Sequence, residues 1–379
     1  MGRVLPFVRV VVNGASKVPS RAMGNATTFV RNPPVGDAAA PGARATAPVF
    51  VLGSGRSGTT LLYDMLISAG GFAIFHGRTH AFSHLGSCFG NLAHRRNRRD
   101  LLDAYYASGV FPFTGLAPKD IEERVMTDCR NTGDFLRIVM EAVARKQGVP
   151  RWAEHSAEHL LYLPSIKKTI PDALVINVIR DGRDVTASIH RIGWIRPMPW
   201  DRSRAFLARA IFWRWIVRKG RHDGQTLGRD YLEVHYEDLV QNPRATLARI
   251  GRFIEQDLDY DRIQQVALGT VRDPNSSFRG DGKETESATI GRWRRMFTPQ
   301  QVRVLESTIG DLLVDTGYAL ETPPAELRLP LPARCMSFLY PVYFDSKLWL
   351  KSTLPVRIAY QGVWRRRLRE PPPARPGAK

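Results

Sequence analysis

Residues Ala47 to Leu66, APVFVLGSGRSGTTLLYDML, restrict the possible fold more than any other run in the chain. Val49 to Leu52 read as a short buried strand, Gly53 to Gly58 as a glycine-rich turn, and Thr59-Thr60 as the opening of a helix. A strand that turns directly into a helix aims backbone N–H groups and the positive helix end at one point. Gly55, Arg56, Ser57, Gly58, Thr59 and Thr60 thus form a candidate anion site for a phosphate or sulfate.

Three chemistries use such a turn. Gly53-x-Gly55-x-x-Gly58 meets the glycine spacing of a dinucleotide site, which also needs an acid about 20 residues on for the ribose. No Asp or Glu lies between Asp64 and Asp100. Gly53 and Gly58 also meet the spacing of an ATP-type P-loop, yet Thr59 and Thr60 stand where Lys and Ser/Thr belong. The cation is instead Arg56, inside the loop. The turn reads as a nucleotide loop rebuilt for something other than Mg-ATP.

A length of 379 residues allows one large core or two modest ones, and 43% hydrophobic with 24% charged residues is a globular composition. The net charge of +19 predicts attraction to anions: nucleotides, acidic glycans, anionic lipid or nucleic acid. Because the cations are spread along the chain, a solvated arginine-rich surface explains the charge equally well. No stacking motif accompanies it, so nucleic acid is not an expected partner. Cys88, Cys129 and Cys335 form no CxxC pair, which suits a reducing cytoplasm and neither a disulfide framework nor a zinc site. Val4 to Val12 is too short for a secretory signal and is broken by Pro6 and Arg9. Pro6 also spoils the myristoylation pattern after Gly2. No run approaches the roughly 20 apolar residues needed to span a bilayer.

Residues 1–46, rich in Ala, Gly, Pro and Arg, read as a mobile lead-in. Residues 47–320 alternate strand-like and helix-like segments, which predicts an α/β domain: a P-loop-like parallel sheet flanked by helices. Strands are expected at Val49–Leu52, Leu174–Ile179 and Leu232–Tyr236, and helices after Thr59, Asp184, Arg202, Pro243 and Pro299. Ser83 to Gly148 reads as a helical and irregular insertion suited to acceptor binding. Residues 321–379 form an appendage with prolines, aromatics (Phe338, Tyr340, Tyr343, Phe344, Trp349) and a basic end (Arg365, Arg366, Arg367, Arg369). Packing of its aromatics on the core is the favoured reading, and peripheral contact with an anionic membrane the alternative.

A second signal lies at Ala173 to Arg191, ALVINVIRDGRDVTASIHR. A buried strand ends in Arg180, a turn passes through Asp181-Gly182, and the next helix carries Ser188. Arg180 and Ser188 can converge on one anion, the first through charge-assisted contacts and the second as a hydroxyl donor.

GSGRSGTT followed by IRDGRDVTAS resembles the sulfotransferases that use 3′-phosphoadenosine 5′-phosphosulfate, over roughly Pro48 to Ala319. Arg rather than Lys in the first loop is similar to the carbohydrate, tyrosylprotein and bacterial branches. The resemblance implies that the first loop holds the 5′-phosphosulfate and that Arg180 and Ser188 hold the 3′-phosphate. His235-Tyr236-Glu237-Asp238-Leu239 resembles the step whose Tyr lies against adenine. Gly291-Arg292-Trp293 resembles the step that closes over the nucleotide. Glu286, Ser287 and Ala288 replace the basic triplet some members place before it; Lys283, Arg292 or Arg294 are the candidate substitutes.

Sulfuryl transfer places developing negative charge on the leaving phosphate oxygen, where a fixed cation and preorganised N–H donors stabilise it. Arg56 with the Ser57 to Thr60 amides meets that need, so no metal is expected. A general base must take the acceptor proton. In carbohydrate-type members a Glu about two dozen positions after the loop cation does so, with a His two residues later; here those positions hold Arg78 and His80. A family Glu-Lys-Thr/Ser-Pro step reads Glu154-His155-Ser156-Ala157. His80 is the first candidate base, Glu154 and His155 the next, and His76 and Glu158 stay open. The expected function is sulfuryl transfer to a hydroxyl or amine of a glycan, glycolipid or other metabolite. The alternatives are a nucleotide-binding module with impaired catalysis and, on glycine spacing alone, a kinase.

Overall fold

The runs VFVLG and LVINVI are apolar along their length, as central strands covered on both faces must be. They form β1 (Val49–Gly53) and β3 (Leu174–Ile179), paired from Val49 opposite Leu174 to Gly53 opposite Val178. On one side β4 (Tyr231–His235) pairs with β3, its residues alternating half-buried and buried. On the other, the two-residue β2 (Ala153–Glu154) pairs with β1. The computed structural model describes residues 43–85, 88–272 and 290–352, without the side chains at 84, 199, 200, 203, 351 and 352. Among the described residues the sheet is parallel throughout, in the order β2-β1-β3-β4.

The sheet is flanked by α1 (Thr59–Ala69), α2 (Arg95–Tyr106), α3 (Thr132–Lys146), α4 (Gly182–Ile192), α5 (Ala205–Gln225), α6 (Pro243–Ile254), α7 (Pro299–Asp315) and α8 (Leu331–Ser352). Strand side chains alternate between the two faces. Val49, Val51, Ile176 and Val178 join Leu62 and Leu66 of α1 and Ile250 of α6 in one cluster. Phe50, Leu52 and Val175 join Phe135 of α3, Ile211 of α5 and Leu305 of α7 in the other.

Two local readings change, and a third gains a packing role. β4 stops at His235, and Tyr236 opens a short helix, Tyr236–Gln241. The helix expected after Asp184 starts at Gly182, capped by the Asp181 side chain on the Arg183 N–H. The Ser83 to Gly148 stretch does more than decorate the surface: Leu101, Leu102 and Tyr105 of α2 and Val139 of α3 sit in the cluster of Phe50. α8 packs one face on α5: Tyr340 and Phe344 are buried, Trp215 Nε1 donates to Asp345 Oδ1 at 3.0 Å, and Met198 N–H donates to Tyr340 Oη at 2.9 Å. The lead-in up to residue 42, Lys283, Glu286, Ser287, Ala288 and Arg365 to Arg369 lie outside the described residues.

Candidate functional site

Each strand delivers a candidate at its carboxyl end: β2 leads into His155, β1 into the Gly53–Gly58 turn, β3 into Arg180 and β4 into Tyr236. Ligands bind at that edge in open α/β sheets. Gly58 caps α1 at φ 93°, and a Cβ there would lie 2.3 Å from Tyr236 Cδ2, so the turn requires glycine. Gly55 lies beneath Trp194, whose ring comes within 3.6 Å of a Cβ built there. Arg56 adopts φ 73°, a left-handed conformation costing a non-glycine residue roughly 1 kcal/mol or more.

That backbone brings the two sequence signals together. Arg56 Nε donates to Ser188 Oγ of α4 at 3.0 Å. An Arg180 Nη donates to the Arg56 carbonyl at 3.1 Å, and the Arg180 guanidinium lies 4.3 Å from the centre of the Tyr236 ring. Tyr236 is only 2% exposed, walled in by Gly58 and Arg180. Ser57 Oγ is buried and makes no hydrogen bond among the described residues. Thr59 is buried and Thr60 half-buried at the start of α1.

Like charge accumulates here. Burial, then Arg180 and Arg78, with Arg292 further down, lower the Arg56 pKa to about 10, against a smaller opposite effect from Tyr236. Arg180 and Arg292 are themselves buried, whereas Arg78 is exposed. Burying several cations near one another is unfavourable unless a polyanion joins them. A nucleotide carrying two phosphoryl-type groups meets that demand.

The Gly291-Arg292-Trp293 step that carries Arg292 is pinned. Asp184 of α4 accepts from Gly291 N–H at 2.8 Å and Trp293 N–H at 3.0 Å. Burial raises the Asp184 pKa, and Arg180 opposes the rise. Trp293 is buried between Arg183 and Arg294, whose guanidinium carbons lie 4.2 and 4.5 Å from its rings. Glu237 accepts from Asp181 N–H at 3.1 Å and Tyr318 Oη at 2.7 Å, tying the end of β4 to the Arg180 turn. Sequence reasoning passed over Asp184 as a supporting group. Its place in the first turn of the helix after Arg180 was the available signal.

The candidate bases occupy unlike environments. His80, at φ 48°, holds Nδ1 2.7 Å from Glu158 Oε1, which also accepts from Ser83 Oγ at 2.8 Å. Glu154 is buried: Oε1 accepts from Thr79 Oγ1 at 2.9 Å and Ser156 Oγ at 2.6 Å. Its Oε2 accepts from Ser156 N–H at 2.8 Å and faces His159 Nδ1 at 3.1 Å. Burial pushes the Glu154 pKa up, but His159, His155 and Ser156 together outweigh it and hold the carboxyl well below its usual range. His155 is buried and stacked on Tyr63, ring centres 4.0 Å apart. His76 is exposed. Among the described residues no group of three or more His, Cys, Asp or Glu side chains is placed to hold a metal ion.

The model of a family described as the sulfotransferase family matches residues 48–260, more than half of the chain. A Caenorhabditis elegans protein described as a candidate protein-tyrosine sulfotransferase is 24% identical over 189 residues, 48% of this chain and 72% of that protein. The sulfotransferase domain of the Synechococcus PCC 7002 olefin synthase is 20% identical with a TM-score of 0.45, covering 79% of this chain and 94% of that one. The sulfotransferase domain from the curacin biosynthetic pathway is 17% identical with a TM-score of 0.47, covering 72% and 98%.

Proposed function

The chain belongs to the sulfotransferase family, and from that membership we propose that it moves a sulfuryl group from 3′-phosphoadenosine 5′-phosphosulfate to a hydroxyl or amine of a glycan, glycolipid or other metabolite. The observation carrying this reading is the meeting of Arg56, Arg180 and Ser188 at the carboxyl edge of the sheet, where the charge of Arg292 is also felt by Arg56. The turn from Gly55 to Thr60 would hold the 5′-phosphosulfate, with Arg56 at the oxygen that becomes the leaving group. Arg180 and Ser188 would take the 3′-phosphate, and the pinned Gly291-Arg292-Trp293 step would bring Arg292 over the nucleotide. Tyr236, buried under Arg180, fits the role of a wall that shapes Gly58 and Arg180 better than that of an open platform for adenine.

The transfer breaks the bond between sulfur and the phosphate oxygen and forms one from sulfur to the acceptor oxygen or nitrogen. The acceptor proton goes to His80 Nε2, and Glu158 orients the ring and stabilises the imidazolium. Glu154 holds Thr79 and the turn after β2, so it positions the neighbourhood of His80 without itself taking the proton. Arg56 and the loop amides neutralise the departing phosphate oxygen, a role that needs no metal.

The test is calorimetric titration with adenosine 3′,5′-bisphosphate and with Mg-ATP, followed by transfer of radiolabelled sulfate from the donor to a pool of glycans, glycolipids and amines. Tight binding of the bisphosphate and labelling of at least one acceptor are expected. Binding without labelling would instead favour a non-catalytic nucleotide module, and preference for Mg-ATP would favour a kinase.

A further inference from the structure

Helix α8 is apolar on two opposite faces. Met336, Tyr340 and Phe344 pack into the core. On the other side Leu331, Phe338 and Val342, spaced seven and four residues apart, fall along one stripe and are 71%, 72% and 52% exposed. Leu339 and Tyr343 border it at 49% and 41% exposure, and Arg334 and Lys347 are exposed on the same helix. Isolated exposed apolar side chains are ordinary, but a contiguous stripe on one helix marks an interaction surface.

Charge identifies the occupant. Immediately after α8, residues 353–379 contain six arginines and one lysine against a single glutamate, interleaved with Leu354, Ile358, Tyr360 and Trp364. An apolar helical stripe joined to a polybasic, aromatic segment matches the interface of an anionic bilayer, where the stripe enters the acyl boundary and the arginines meet lipid phosphates. We propose that the exposed face of α8, with the basic segment that follows it, seats this protein on an anionic lipid surface. No helix among the described residues is long and apolar enough to cross a membrane, and the attachment proposed is peripheral.

Co-sedimentation of the full chain with phosphatidylglycerol/phosphatidylcholine vesicles and with phosphatidylcholine vesicles tests this. Binding is expected only to the anionic vesicles and is expected to weaken with added salt. The double variant Phe338→Ser/Val342→Ser changes two exposed positions and should melt as the parent does. Its partition coefficient should fall by about tenfold or more. Replacing Arg365, Arg366 and Arg367 with Gln should lower it about fivefold per charge. Equal pelleting on both vesicle types overturns the proposal, as does a double variant that pellets like the parent. A concentration-dependent dimer in sedimentation velocity, abolished by the double variant and without vesicle binding, overturns it in favour of a second copy of the chain.

Discussion

The edge proposed to hold the donor and the region proposed to supply the base are built on different plans. At the first, β1 and β3 each end in a candidate for the anion and β4 leads into Tyr236; backbone geometry fixes the turn through a Gly58 that admits no side chain and an Arg56 held at φ 73°, while Arg180 lies on Tyr236. In the base region the organising element is a carboxylate. Glu154 gathers Thr79, Ser156 and His159, while Glu158 gathers His80 and Ser83. Backbone-built sites tolerate little change in sequence, whereas side-chain networks can exchange their members.

The comparison breaks most visibly at His80. His80→Ala should lower kcat by about 10²- to 10⁴-fold while leaving affinity for adenosine 3′,5′-bisphosphate intact. A variant that retains its rate, or loses rate and nucleotide affinity in parallel, would remove His80 from the chemistry. Arg56→Ala should cost about 10²- to 10³-fold in kcat, the magnitude of losing one donor at a developing oxyanion, and should weaken bisphosphate binding as well. Unchanged binding in calorimetry would contradict the proposed meeting of the two loops on one nucleotide.

Glu154→Gln tests the carboxylate-built side through stability. The native carboxyl titrates below its ordinary value of 4.5, so its stabilisation is fully present above that pH and disappears as pH falls through the lower native value. At neutral pH the variant should be less stable by about 1.5–3 kcal/mol in urea unfolding, as expected for lost charge-assisted bonds. The deficit should narrow as pH drops below 4.5. A constant deficit across that range would mean that packing, and not charge, is what Glu154 supplies.

The convergence of the two loops at the carboxyl edge was legible because its signals are local. A buried strand, a glycine turn and a helix opening occupy one contiguous run, and Arg180 with Ser188 repeats the device. The parallel sheet followed from apolar runs long enough to show a pattern. β2 escaped because two residues carry no periodicity. Glu158 was legible only as one open candidate for the base and Asp184 only as a first-turn acid, since their contacts lie 78 positions away in one case and 107 in the other. The exposed stripe of α8 was hidden for a related reason. Tyr340 and Phe338 look alike in a sequence, and only the position of α5 decides which of them is covered.

The crowding of Arg56, Arg180, Arg292 and Arg78 also bears on how a catalytic cycle would end. Under the proposed reaction, the sulfuryl group leaves and a phosphate oxygen takes up the charge it held, so the spent nucleotide is as anionic as the fresh one. The arginines therefore cannot distinguish cargo from residue by charge, and what makes capture fast makes departure slow. Release of the spent nucleotide would then rest on its parting from these cations, a step that the loss of the sulfuryl group does nothing to ease.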